Sequence, residues 1–251
     1  VGDPVWPDNW KLDPFFDFLG EDAAESPHVY TYARTNHRRD SLNDWNAARL
    51  FNTSAQCLRD NAHRNDLFLW IDCFDPHEPW DAPPEFIKRF DPRPDTDGCF
   101  DPRLFIHPHP FDYPPEAVPV IAAFYRAKLA WMDHCLGELL DTFYSTGLAD
   151  SSALVVMGDH GTWLGEHGRF GKGGPLDEAL AHVPLFVRMP GGEPGRSNVI
   201  VQPQDMFATL AGLANAPVPP GLDSNDILSI AKSSETGSRH LAVAASAASG
   251  W

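Results

Sequence analysis

One stretch limits what this chain can fold into more than any other: residues 153–190, ALVVMGDHGTWLGEHGRFGKGGPLDEALAHVPLFVRMP. It opens with an apolar run, Ala153 to Met157, of the length and composition of a buried strand. Asp159 and His160 stand at the end of that run. Glycines at 161, 165 and 168 follow, then His167, Lys172 and a second strand-like run from Val183 to Met189. Open α/β sheets bind ligands beyond the carboxyl ends of their strands, so this loop is the first candidate site wall.

A second run has the same design. Asp66 to Asp72 (DLFLWID) is nearly all apolar and reads as a buried strand; Cys73 to Trp80 (CFDPHEPW) follows at once. Two prolines end any regular element there and stiffen a loop that carries Asp75, His77 and Glu78. Elsewhere, residues 1–27 read as irregular surface chain. His28 to Arg34 alternates well enough for a short strand, and Asn36 to Asp40 is a polar connector. Ser41 caps a helix running to Ala62, with Asp44 in the capping-box position and Leu50, Phe51, Ser54, Leu58 and Ala62 on one face. Residues 81–118 hold many of the 24 prolines and read as a long ordered excursion, of the kind that shapes a pocket.

Beyond Pro119, apolar residues at three- and four-residue steps (Ile121, Tyr125, Leu129, Met132, Leu136, Leu139, Leu140, Phe143) predict a helix ending near Gly147. Pro190-Gly191-Gly192 makes a turn. Gln202 to Ala214 reads as a helix with Pro203 at its first position. Residues 215–238 form a Pro-, Gly- and Ser-rich connector, and His240 to Ala245 begins another strand. Strands alternating with helices predict one α/β domain with a mainly parallel sheet.

Composition excludes some functions. A formal net charge of -16 leaves no basic stripe for nucleic acid. It also repels anionic substrates, so binding one requires a local cation or metal. Cys57, Cys73, Cys99 and Cys135 form no CxxC pair and read as free thiols. No apolar run approaches the length of a membrane span. The first residues, VGDPVWPDNW, carry neither an initiator Met nor a signal peptide, and nothing in them fixes a compartment.

Asp159 and His160 combine a hard oxygen donor with an imidazole, part of a site for Ca²⁺, Mg²⁺, Mn²⁺ or Zn²⁺; alone, the pair reads equally as a capped turn. Lys172, in a Gly-flanked loop, is placed to meet an oxyanion, although a lone lysine is more often solvated. His77 can donate to an anion or a leaving group; the plainer reading is a loop histidine bonded to its neighbours. Trp80 and Trp163 read as packing residues. His107, His109, His134, His167 and His182 read as structural or surface residues, with His167 the best placed to support a site indirectly.

Taken together, FLWIDCFDPHEPW at 68–80 and VVMGDHGTWLGEHGRFGKGGPLDEALAHVPLFVRMPG at 155–191 resemble the sulfatase family of the alkaline-phosphatase superfamily. Their order, their separation and the helix between them are similar to that family too. The resemblance implies an alkaline-phosphatase-like α/β/α sandwich, incomplete at both ends. It implies that Asp159 and His160 are ligands of the catalytic divalent metal, with Ca²⁺ the first choice and Mn²⁺ or Zn²⁺ the alternatives. Lys172 would bind the sulfate or phosphate oxygens, and His77 would contact the ester near its leaving group. The implied substrate is a small anionic sulfate, phosphate or phosphonate ester.

The family's nucleophile is a formylglycine made from Cys in a C-x-P-S-R motif, or sometimes Ser, and no such motif occurs here. Cys99-Phe100-Asp101-Pro102-Arg103 lacks that order, and Cys57 sits in a predicted helix. The expectation is therefore an interior or C-terminal portion of a sulfate ester hydrolase carrying half of an active site. The alternatives are a phosphonate monoester or phosphodiester hydrolase, or a non-catalytic domain of the same fold. Oligomeric state is not legible.

Overall fold

The computed structural model describes residues 12–20, 23–36, 38–105, 113–172, 175–232, 239 and 241–244. In chain order its regular elements begin with a 3₁₀ segment Pro14–Leu19, α1 (Pro27–Asn36), a 3₁₀ turn Leu42–Asp44, α2 (Asn46–Asn61) and α3 (Pro84–Phe90). A 3₁₀ turn Pro102–Phe105, α4 (Ala117–Ser145) and a 3₁₀ turn Leu148–Asp150 come next. The remainder comprises β1 (Leu154–Met157), β2 (Trp163–Leu164), a 3₁₀ turn Glu166–Gly168, β3 (Phe170–Gly171), α5 (Glu178–Ala181), β4 (Leu185–Arg188), α6 (Asp205–Leu213) and α7 (Ile227–Lys232). Two compact units result: residues 1–149 with 162–171, and residues 150–161 with 172–251.

The first unit is built on α4. Its 29 residues are flanked by α2 and α3, and the β2–β3 hairpin packs against it. The predicted helix is present, but its buried face is rotated from the expected one. Phe124, Lys128, Trp131, Cys135, Leu139 and Phe143 point inward, while Leu129 is 40% exposed. A helix with apolar residues on more than one side can present either stripe, and the aromatic packing selects this one. Trp131 meets Trp45 and Phe86 edge-on at 6.3 and 5.2 Å; Phe124 meets Phe100 at 5.7 Å.

The Ser41–Asp44 box is present: Ser41 N–H donates to Asp44 Oδ2 at 2.8 Å. It closes a 3₁₀ turn, and α2 proper starts at Asn46, burying Phe51, Ser54 and Leu58 as expected.

Several elements differ from expectation. His28 to Arg34 lies inside α1, not in a strand. Its buried positions, Val29, Ala33 and Asn36, fall on a helical period, and packing of that face outweighs the β propensity of Val, Tyr and Thr. Ser26 Oγ accepts from the His28 N–H at 3.3 Å and helps to start the helix. Asp66 to Asp72 is not a buried strand. Leu67, Leu69 and Ile71 are half-buried, but Phe68, Trp70 and Phe74 are 68, 65 and 67% exposed. The segment belongs to no ladder among the described residues, and an extended chain without a neighbour is no strand.

The 81–118 region is more regular than expected, with α3 and the Pro102–Phe105 turn inside it. Arg93 ties that region to the N-terminal 3₁₀ segment through Asp13 at 2.5 Å, and Arg103 does so through Asp17 at 3.2 Å.

In the second unit, the runs at 153–157 and 183–189 do form strands. β1 and β4 pair with each other in the register Leu154↔Arg188 to Met157↔Leu185. The ladder is antiparallel, as is that of β2 with β3, so no parallel pair occurs among the described residues, whereas the strand–helix alternation predicted a mainly parallel sheet. The strands are half-buried, not fully buried. α6 begins at Asp205, with Pro203 in the turn before it. Residues 241–244 have no regular structure, contrary to the predicted strand; His240 and Ala245 lie outside the described residues. The mixture of helices and strands is that of an α/β chain.

The rotated face of α4 has a measurable consequence. Trp131→Ala should cost about 3–5 kcal/mol, the scale for deleting a buried aromatic, and Leu129→Ala under 1 kcal/mol as a surface change. Thermal unfolding of the two variants checks the assignment; the reverse order would restore the predicted face.

Candidate active site

The His77 loop belongs to the first unit. It spans residues 73–81, with cis peptide bonds before Pro76 and Pro79. The His77 N–H donates to Phe74 O at 2.9 Å. Its ring stacks on Phe74 with centroids 4.1 Å apart and planes at 21°. Nδ1 lies 2.6 Å from Glu78 O and 3.1 Å from Glu78 Oε2. Both partners only accept, so Nδ1 carries a proton and Nε2 is the nitrogen left for chemistry. A half-exposed imidazole anchored in this way can take up a second proton on Nε2 and, as the imidazolium, deliver it to a departing oxygen.

Behind the loop lies a buried ionic group. Lys128 Nζ donates to Asp75 Oδ1 at 2.9 Å and to Asp81 Oδ1 at 2.7 Å. Asp81 Oδ2 accepts from Arg39 at 2.5 Å and from the Tyr32 hydroxyl. Burial opposes the ammonium, but the two carboxylates outweigh it and raise the Lys128 pKa, so the side chain stays charged.

All four cysteines are free thiols. Burial, with help from Asp75, pushes the Cys73 thiol up to about 11, and burial pushes Cys135 to about 12; both are protonated at neutral pH. Cys57 lies in α2 as expected. In the Cys99 run, Arg103 is buried and committed to Asp101 at 2.7 Å, which makes that run structural.

The second unit holds Asp159, His160 and Lys172. Beyond β1, Gly158 N–H donates to Pro184 O at 3.1 Å and Gly161 N–H to Leu180 O at 2.8 Å. These two bonds pin the Asp159-His160 turn. A Cβ at Gly161 would sit 2.0 Å from Ala179 O, so the position requires glycine. The His160 N–H donates to Asp159 Oδ1 at 2.8 Å. His160 Nδ1 donates to Gly161 O at 2.9 Å, which leaves the Nε2 lone pair of the neutral ring available. That arrangement is how a ligating histidine is oriented.

Nε2 and Asp159 Oδ2 are 3.6 Å apart, with side chains 49 and 87% exposed. Two ligands at about 2.3–2.6 Å from one cation and at right angles are separated by about 3.3–3.7 Å, so the pair fits two neighbouring vertices of one coordination sphere. Among the described residues no group of three or more His, Cys, Asp or Glu side chains is arranged to hold a metal.

Lys172 is half-buried and follows β3 directly. His167 has φ 53° and is exposed; its ring meets Trp163 edge-on at 5.6 Å, a packing contact. His134 stacks on Trp131 at 5.6 Å, and His182 pairs with Glu178 at 3.1 Å. Trp80 and Trp163 are buried as expected. His107 and His109 lie outside the described residues.

The structure thus brings Asp159 and His160 together and sets His77 and Lys172 on loops of their own. Sequence reasoning passed over Lys128 and Asp81, and named Asp75 only as part of the His77 loop. The available signal was the spacing of two aspartates around the DPHEPW loop and one lysine on an apolar helix.

Comparison with known proteins agrees with the motifs. The sulfatase family model matches residues 6–216. The chain belongs to the sulfatase family. It is 34% identical to human iduronate 2-sulfatase over 122 residues, which is 38% of this chain and 22% of that one. It is 36% identical over 104 residues to choline-sulfatase of Rhizobium meliloti (strain 1021), 41% of this chain and 20% of that one. Among solved structures it is similar to a phosphonate monoester hydrolase from Silicibacter pomeroyi, with a TM-score of 0.56 and 23% identity over 76% of this chain and 42% of that one. The fold is therefore that of sulfatases and alkaline-phosphatase-like hydrolases. The chain spans less than half the length of each of these relatives.

Two donors leave a cation mostly hydrated, so affinity should be low. Calorimetric titration of the chain with Ca²⁺ and with Mn²⁺ should give no tight, stoichiometric isotherm. Tight binding abolished by Asp159→Ala would show a complete ligand set within these residues.

Proposed function

We propose that this chain serves the metal-assisted hydrolysis of small sulfate esters. The observation that carries the reading is the anchored His160, whose Nε2 faces the Asp159 carboxylate at 3.6 Å in a chain of the sulfatase family. Asp159 and His160 would hold a divalent cation, Ca²⁺ first and Mn²⁺ or Zn²⁺ as alternatives. When bound, the cation supplies Lewis-acid compensation of charge on the transferring group.

The remaining roles fall to the protein's own side chains. The Lys172 ammonium binds the non-bridging oxygens of the ester and stabilises the negative charge that builds there. In a chain with a net charge of -16, such a local cation is what admits an anionic substrate. His77, with Nδ1 held by Glu78, presents Nε2 to the bridging oxygen. As the imidazolium, with a second proton on Nε2, it gives that Nε2 proton to the departing alcohol oxygen and returns to the neutral Nδ1–H ring. The attacking group, a formylglycine in the family, is not encoded in a C-x-P-S-R run among these 251 residues.

Without an attacking group, positioning and electrostatics give only residual catalysis. The chain by itself should hydrolyse neither aryl sulfates nor aryl phosphonate monoesters above background. In a polypeptide that joins it to a nucleophile segment, His77→Ala and Lys172→Ala should each lower turnover by about a hundredfold or more, the scale for losing one transition-state contact. The Lys172 effect should be independent of the leaving group, and the His77 effect largest for poor leaving groups. Steady-state rates on a series of aryl sulfates and aryl phosphonates check this. Full activity in both variants would end the assignment, and preference for the phosphonates would move it to the other ester class.

A further inference from the structure

We propose that Lys128 is a positioning residue for His77: its ammonium clasps both ends of the His77 loop onto the middle of α4. The inference rests on the reading of His77 as the group that assists the leaving oxygen.

The geometry has three parts. First, the loop is closed at one point. Asp75 lies two residues before His77 and Asp81 four after, and both carboxylates meet Lys128 Nζ, at 2.9 and 2.7 Å. All three side chains are nearly fully buried. Second, the clasp is braced from behind. Arg39 and the Tyr32 hydroxyl hold the other oxygen of Asp81, and the Arg39 guanidinium lies 3.8 Å from the centre of the Trp45 ring. Third, the orientation of His77 is set from within the loop. Its N–H is fixed by Phe74 O, its Nδ1 by Glu78 O and Oε2, and its ring by the stack on Phe74. Whatever fixes the path of residues 75–81 therefore fixes the direction of Nε2.

A buried ion pair is a poor device for stability alone, because apolar groups of the same volume do as well or better. Directional charge-assisted hydrogen bonds at both ends of a loop do what apolar contacts cannot: they hold one backbone path. A lysine here, where the surrounding face of α4 is apolar, therefore fits a role in placing the loop. The arrangement makes Lys128 act through His77 without touching substrate.

The test reads the His77 ring directly, in the 251-residue chain with ¹⁵N-labelled histidine. Long-range ¹H–¹⁵N spectra above the histidine titration range report which ring nitrogen holds the proton, and His77→Gln identifies the signal. The wild-type chain should show a single tautomer with the proton on Nδ1. In Lys128→Met, with the fold verified by circular dichroism, the ratio of the Nδ1–H to the Nε2–H form should fall several-fold as the ring loses its fixed partner. Lys128→Arg should restore the single form. Asp75→Asn, which keeps its size and leaves Lys128 paired with Asp81, should shift the ratio in the same direction, and it carries the test if Lys128→Met does not fold. A single Nδ1–H form persisting in folded Lys128→Met or Asp75→Asn would overturn the proposal. No turnover enters the readout: a failed hydrolase assignment would show in the ester assays while His77 still followed Lys128.

Discussion

In the first unit the path of the His77 loop depends on one buried ammonium. Lys128 sits on the inward face of α4 between Asp75 and Asp81, and the chain on either side of the candidate catalytic histidine is fixed by that contact. Removing an ammonium from water is costly, and a lone lysine in this position would shed its proton. Two carboxylates reverse the balance and raise its pKa above the ordinary lysine range. The lysine's contribution to stability is fully present below the pKa of an unfolded-state lysine and is lost as pH rises through the folded value. Burial raises the Asp81 pKa, so the clasp also loosens as pH falls and that carboxylate takes up a proton.

In the second unit the Asp159-His160 turn is exposed and is held without a buried ion pair, by the backbone bonds from Gly158 to Pro184 and from Gly161 to Leu180 and by the side-chain bonds of Asp159 and His160 to neighbouring backbone. Gly161 permits the approach because any side chain would strike Ala179 O. A donor pair held by backbone keeps its shape while both donor groups remain open to a cation. The two candidate loops are therefore held by different means, one through ion pairs in the core and the other through close backbone contact.

Much of this was legible in the sequence, for physical reasons. The strands at β1 and β4, the helices α2, α4 and α6, the Ser41–Asp44 box and the packing of Trp80 and Trp163 follow from periodicity and side-chain size. The misreadings share a cause. His28 to Arg34 alternates like a strand, yet Val29, Ala33 and Asn36 bury on a helical period. Asp66 to Asp72 has strand composition, but composition does not provide a neighbour to pair with. On α4, Leu129 and Trp131 compete for the inward face, and only tertiary packing decides between them. That same choice turns Lys128 inward, where sequence alone places a lysine in solvent. The motif residues were easier to find than the residues that hold them, because a DHG or a DPHEPW is local and a clasp between residues 75, 81 and 128 is not.

The chain belongs to the sulfatase family, and the ion pairs explain how the candidate catalytic histidine is held. The most direct measurement is the ionisation of Lys128, followed by the ¹³Cε shift of labelled lysine across a pH titration of the folded chain. A charged clasp requires that this lysine keep its ammonium shift past the pH at which the exposed lysines titrate. A midpoint below that of the exposed lysines, moving toward neutrality, would mean that Lys128 is buried without its carboxylates and that the loop carrying His77 is held by something else.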